Sequence, residues 1–119
     1  MRLVREMELV ALARRKCVPY SSKTAPMKRQ DARKHLQHLH GWALAEDNIL
    51  REFKFKNYFA GLKFTYSLGK AAEKENHHPD ILVKWKRVRV MLTTHDIKGL
   101  SVNDFIMAAK AEKIYRRFA

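Results

Sequence analysis

Cysteine is almost missing from this chain: among 119 residues only Cys17 carries a thiol. One thiol cannot close an intramolecular disulfide, so a disulfide-stapled fold is excluded and a reducing compartment is favoured. Cys17-Val-Pro-Tyr20 also lacks the second thiol that a zinc knuckle or dithiol site would need. Long apolar runs are absent as well. None approaches the roughly 20 residues that cross a bilayer as a helix, so an integral membrane protein is not expected and a cytoplasmic one is. Acidic residues are few, 12 against 25 Lys and Arg, and the formal charge is +13. Such an excess favours anionic partners, nucleic acid among them. Yet the cations are dispersed, ten against three acids in residues 1–41 and fifteen against nine in the remainder. No helix-turn-helix, zinc finger or RNP-type aromatic motif organises them, and the charge reads as solvated surface rather than a nucleic-acid footprint.

What is present describes one globular domain. A hydrophobic fraction of 46% with 31% charged residues suits a folded soluble chain, and its length suits one domain with a real core. Residues 1–26 read as an N-terminal extension, partly flexible. Leu3, Val4, Met7, Val10 and Ala11 have helical spacing, but Pro19, Ser21, Ser22 and Pro26 prevent the helix from continuing. Glu6 and Glu8 argue against a transit peptide.

The remaining stretch, residues 27–119, reads as the domain proper. A helix is predicted over Lys28–Leu39, with Ala32, Leu36 and Leu39 inward and Gly41 as its stop. Trp42–Glu46 and Ile49–Lys56 read as strands around an Asp47-Asn48 turn. A long helix comes next, roughly Asn57 to Asn76, with Asn57 as N-cap. It has two apolar stripes, Ala60/Phe64/Leu68/Ala71 and Tyr58/Leu62/Tyr66/Gly69, which suggests that it packs against its own sheet and against something else. Strands are expected from Ile81 to Lys84 or Trp85 and over Arg87–Thr94, with Val88, Val90 and Leu92 inward. Ser101 is a good N-cap and Asp104 stands at N3 of a last helix, about Val102–Arg116. The order α-β-β-α-β-β-α implies an α+β sandwich: a four-stranded antiparallel sheet with three helices on one face.

The chemistry-bearing residues gather at element ends. In Glu73-Lys-Glu-Asn-His77-His78-Pro79 a carboxylate precedes an imidazole by four residues, one helical turn. Pro79 disfavours helix before it and is expected to end the helix at His77–His78. A carboxylate beside an imidazole can fix its tautomer, the usual preparation for proton transfer near neutral pH. His95 falls at the end of the last strand and Asp104 opens the last helix. Taken singly, these residues have plainer readings: surface histidines, a capping carboxylate, a helix stop. Three histidines could also ligate zinc, but adjacent His77 and His78 rarely both face one ion in so tight a turn.

The spacing Glu73-x3-His77-His78-Pro79-x5-Trp85-x9-His95-x8-Asp104, with the turn Thr94-His95-Asp-Ile-Lys-Gly99-Leu100-Ser101 and the run from Gly41-Trp42 to Phe53-Lys-Phe55, resembles the pterin-4a-carbinolamine dehydratase family over about residues 27–115. Cys17-Val-Pro-Tyr20 is similar to the N-terminal signature of bacterial-type members, which often have a second cysteine where Tyr20 stands. Asp80-Ile81 follows the His-His-Pro run where some relatives carry an aromatic.

The resemblance implies dehydration of 4a-hydroxytetrahydrobiopterin to the quinonoid dihydropterin, in support of tetrahydrobiopterin recycling after aromatic amino acid hydroxylation. It implies no metal and no cofactor. His77 and His95 would be the acid–base pair, with Glu73 orienting His77 and Asp104 acting near His95. His78 and Pro79 would contact the pterin, and Trp85 would pack. It further implies a homodimer built by extending the sheet or a homotetramer built by helix packing, and a link to an aromatic amino acid hydroxylase pathway. The alternative is a non-catalytic, coactivator-type dimerisation protein that uses the long-helix surface.

Overall fold

Alternation along one strand organises the molecule. In Arg87–Leu92 the residues Val88, Val90 and Leu92 are buried while Arg87, Arg89 and Met91 are not, the period of two of a strand with one face on a core. The computed structural model describes residues 2–119. Its elements are α1 (Arg2–Arg14), α2 (Arg29–Leu36), β1 (Ala43–Leu44), β2 (Ile49–Lys54), α3 (Tyr58–Glu75), β3 (Asp80–Val83), β4 (Arg87–Leu92), a 3-10 turn (His95–Ile97) and α4 (Val102–Phe118). The strands form one antiparallel sheet in the order β1-β2-β4-β3. This is the expected α+β class. Among the described residues it has four helices rather than three, because α1 forms within the stretch read as an extension. Leu9 and Ala13 of α1 are buried, and the helix packs on α4.

Register places Ile49, Arg51 and Phe53 of β2 opposite Leu92, Val90 and Val88, all on the face that α3 and α4 cover. The helix residues that meet it are Gly61, Phe64, Leu68 and Ala72 on α3, one position beyond the stripe expected at its ends, and Phe105, Ala108, Ala109 and Ile114 on α4. Gly61 allows the close approach: a Cβ there would lie 3.2 Å from Val88 Cγ2. Phe53, Phe64 and Tyr115 pack as an aromatic cluster, with Phe53 4.8 Å from each of the other two ring centroids. Arg51 also faces this side. Its guanidinium lies 4.4 Å from the Phe53 ring centroid and pairs with Glu112, which in turn accepts the Trp42 indole N–H at 2.9 Å.

Several boundaries differ from the sequence reading, each for a local reason. β1 keeps only Ala43–Leu44 because the turn already begins at Ala45, whose N–H donates to Asn48 O. The second helix ends at Leu36, and three successive i→i+3 bonds carry the chain through residues 37–39 toward Gly41 at φ 87°. Trp85, expected to pack, sits in the β3–β4 turn with 72% of its surface exposed, beside the Lys86 ammonium at 4.5 Å.

Residues 15–28 then cross over the molecule rather than hang from it. Met27 N–H donates to Leu100 O at 2.7 Å, and Pro26 lies against Gly99, where a Cβ would come within 2.6 Å of the proline Cβ. Asn103 receives Val18 N–H on Oδ1 and returns a bond from Nδ2 to Val18 O, pairing as a strand neighbour would. These contacts fix the loop between β4 and α4 from outside, and that loop supplies part of the site.

Candidate active site

The site begins where α3 stops. Asn76 takes the left-handed conformation, φ 51° and ψ 41°, and the His77 N–H reaches back to Ala72 O at 3.2 Å. Asparagine tolerates this region better than other non-glycine residues, and the αL residue turns the chain off the helix axis. The stop is therefore at Asn76, before the influence expected of Pro79. His77 is consequently no longer on the helix, so the one-turn spacing to Glu73 does not bring the two together.

The expected pairing of Glu73 with His77 is thus corrected: Glu73 Oε2 meets His78 Nε2 at 2.7 Å, in an exposed position. His77 instead turns inward, and its Nε2 lies 2.7 Å from Asp104 Oδ1. The histidine side chain is 10% exposed and the aspartate 0%. Asp104 therefore pairs with His77, far from it in sequence, rather than with His95 as expected.

Asp104 reaches that position through its capping role. Ser101 and Asp104 form the predicted capping box at the start of α4, in which Ser101 N–H donates to Asp104 Oδ2 at 2.9 Å. Thr94 Oγ1 donates to the same oxygen at 2.8 Å and lies 2.7 Å from Ser101 Oγ. One carboxylate oxygen is thereby held by the helix cap and the other is presented to His77. A buried carboxylate without such partners would be strongly disfavoured. Thr94 had no role assigned from the sequence. Nothing about a threonine at a strand end announces a buried bond ten residues along.

His95 opens the 3-10 turn and is exposed. A tight loop sets its place: Thr94 N–H donates to Gly99 O at 2.8 Å, Ile97 N–H returns to Thr94 O, and Lys98 adopts φ 56°. His77, His78, Pro79 and His95 all line one cavity of about 360 Å³, with Asp80, Thr93 and Thr94 among its walls. Four of the six residues singled out by sequence, His77, His78, Pro79 and His95, line the cavity, and Asp104 reaches it through His77. Glu73 is reached through His78. Among the described residues no three His, Cys, Asp or Glu side chains converge as metal ligands would.

Cys17 lies on the far side of Asn103, its N–H donating to Glu75 Oε1 at 2.7 Å. Burial first, then the Glu75 carboxylate, pushes its thiol up to about 11, opposed by Lys110. It is a packing thiol, protonated at neutral pH.

Fold and site together define an α+β protein with a histidine–carboxylate cavity at the junction of α3, β3 and β4. Residues 25–114 match the family model described as Pterin 4 alpha carbinolamine dehydratase. The chain is 45% identical over 104 residues to the "Putative pterin-4-alpha-carbinolamine dehydratase" of Alkaliphilus metalliredigens, spanning 86% of this chain and 94% of that protein. A protein of the same name from Microcystis aeruginosa is 39% identical over 113 residues, covering 92% of this chain and 97% of its own length. Among solved structures, the transcriptional coactivator/pterin dehydratase from Brucella melitensis superposes with a TM-score of 0.73 at 32% identity, over 76% of this chain and 98% of that one. The chain belongs to the pterin-4a-carbinolamine dehydratase family, whose activity is that of a carbon–oxygen lyase.

Asp104 carries both a helix cap and a buried hydrogen bond to His77, so Asp104→Ala is expected to cost about 2–4 kcal/mol. Asp104→Asn, which keeps an acceptor for Ser101, is expected to cost less. Urea unfolding of both variants measures this, and an Asp104→Ala protein as stable as wild type would show that the cap and its partners contribute nothing net.

Proposed function

We propose that this chain dehydrates a 4a-hydroxytetrahydropterin to the quinonoid dihydropterin, with His77 and His95 as the acid–base pair. The observation that carries the reading is the buried His77–Asp104 pair at the wall of the cavity. An ionised carboxylate only accepts hydrogen bonds, so neutral His77 holds its proton on Nε2 and keeps a free lone pair on Nδ1. That nitrogen is suited to take the N5 proton, and Asp104 then stabilises the imidazolium that forms. His95, across the same cavity, protonates the departing 4a-hydroxyl. The C4a–O bond breaks, a C4a=N5 double bond forms, and water leaves; solvent returns the proton from His77 to His95. Glu73 orients His78 against the pterin, and Pro79 shapes the turn that presents it. The step draws on proton transfer by these side chains alone. In the cell it would serve recycling of tetrahydrobiopterin after aromatic amino acid hydroxylation.

Removing either histidine is expected to lower kcat/KM by about 10²–10⁴-fold. His77→Gln is the better variant there because it preserves a donor for buried Asp104; His95→Ala serves at the exposed position. The assay is quinonoid dihydropterin formation from freshly generated 4a-hydroxytetrahydrobiopterin. Full activity in both folded variants would reject the assignment, and no acceleration by wild type would reject the reaction.

A second reading has its own observation. Tyr58, Phe59 and Tyr66 of α3 are 49%, 64% and 71% exposed, and Leu62 and Phe118 join Phe59 and Tyr66 around a shallow depression. Such a contiguous apolar surface marks an interface. It suits self-association into a homodimer or homotetramer. It also suits a coactivator-type partner, a role carried in the name of the Brucella melitensis relative. Phe59→Glu with Tyr66→Glu is expected to lower the mass seen by sedimentation equilibrium at micromolar concentration. A wild type already monomeric under those conditions would eliminate the self-association reading.

A further inference from the structure

A second cavity lies between α1, α3 and α4 and shares no lining residue with the first. Its rim carries four cations from two helices: Lys74 of α3, and Lys110, Lys113 and Arg117 of α4. The last three stand at i, i+3 and i+7, one face of the helix. Lys74, Lys113 and Arg117 are exposed, and Lys110 is half-buried with its ammonium donating to Ala13 O at 2.7 Å. Among the described residues none of the four forms an ion pair, whereas Glu52, Glu6 and Glu112 elsewhere each hold arginine. The single carboxylate at the rim, Glu75, directs one oxygen to the Cys17 N–H. Ala13, Ala71 and Ile114 contribute apolar surface.

Converging cations repel one another, and the repulsion is relieved when an anion settles among them. We propose that this cleft is a binding site for a small, multiply charged phosphate compound. Its volume of about 240 Å³ falls below the roughly 300 Å³ at which pockets for drug-sized ligands begin, which suits a di- or triphosphate group rather than a nucleotide engulfed whole. The arrangement is also preorganised. Lys110 is tied to the end of α1, and Glu75 is tied to the segment just after it, so the three walls are fastened to one another. The site stands independently of the reaction at His77.

The test is calorimetric titration of the full chain with tripolyphosphate at about 150 mM salt, a concentration that screens diffuse surface attraction. Saturable one-site binding is expected, weaker for pyrophosphate and weakest for orthophosphate. Lys113→Ala with Arg117→Ala should weaken it roughly tenfold or more, while Arg33→Ala with Lys34→Ala, an equal loss of charge on exposed α2 positions, should leave it nearly unchanged. In wild type, amide resonances of residues 74, 110, 113 and 117 should shift together, a readout that does not depend on either variant folding. Equal weakening by both double variants, or shifts scattered over the whole surface, would overturn the proposal in favour of diffuse charge. Binding of a single-stranded RNA of about a dozen nucleotides without any binding of tripolyphosphate would overturn it in favour of a polymer.

Discussion

Asp104 is held at one oxygen by the cap of its own helix and presents the other to His77, and most of the site's geometry depends on that division. Ser101 and Thr94 occupy Oδ2; His77 takes Oδ1. The cap is local, a matter of three residues, but Thr94 lies just past the end of β4 and His77 just past the end of α3. A single buried carboxylate therefore ties the start of one helix to the stop of another and to the segment leaving the sheet. In water such bonds would be worth little. With the carboxylate fully buried they become specific, because any arrangement that leaves it unpaired is costly.

The packing beneath supports this junction. α3 and α4 lie on the same face of the sheet, joined through Phe64 and Tyr115, so the C-terminal end of α3 and the N-terminal end of α4 are brought to the same end of the molecule. The segment after α1 reinforces it from outside, through Val18 on Asn103, Cys17 on Glu75 and Pro26 against Gly99. The residue next to Asp104 in sequence is thus occupied in holding that segment. The cavity side chains divide the work: His77 is committed to Asp104, whereas His78 is exposed with Glu73 as its partner and His95 is exposed at the start of its loop.

Periodicity made the sheet and its buried face legible in the sequence: the alternation in 87–92 and the Ser101/Asp104 capping signature are both local signals, and both appear in the structure. That His77, His78, Pro79 and His95 would gather in one place was legible too, and they line one cavity. Their partners were not. The Glu73–His77 spacing is a helical argument, and it fails because Asn76 leaves the helix two residues before the break that Pro79 would impose. A left-handed asparagine is permitted by its side chain, not required by it, so the sequence offers little warning. Thr94 and the Val18–Asn103 pair are long-range bonds between residues common in many settings. Only the assembled fold brings them together. Trp85 shows the converse: a large aromatic that by composition belongs in a core stands in a turn with most of its surface exposed.

The chemistry assigned to the cavity depends on His77 being the inward, Asp104-backed histidine, and the most direct measurement is the tautomer of its imidazole. Nitrogen-15 NMR of the side-chain rings at a pH where His77 is neutral should show the proton on Nε2 and an unprotonated Nδ1, with the assignment lost or redistributed in Asp104→Asn. A proton on Nδ1 in the wild-type protein would contradict the pairing and, with it, the role given to His77.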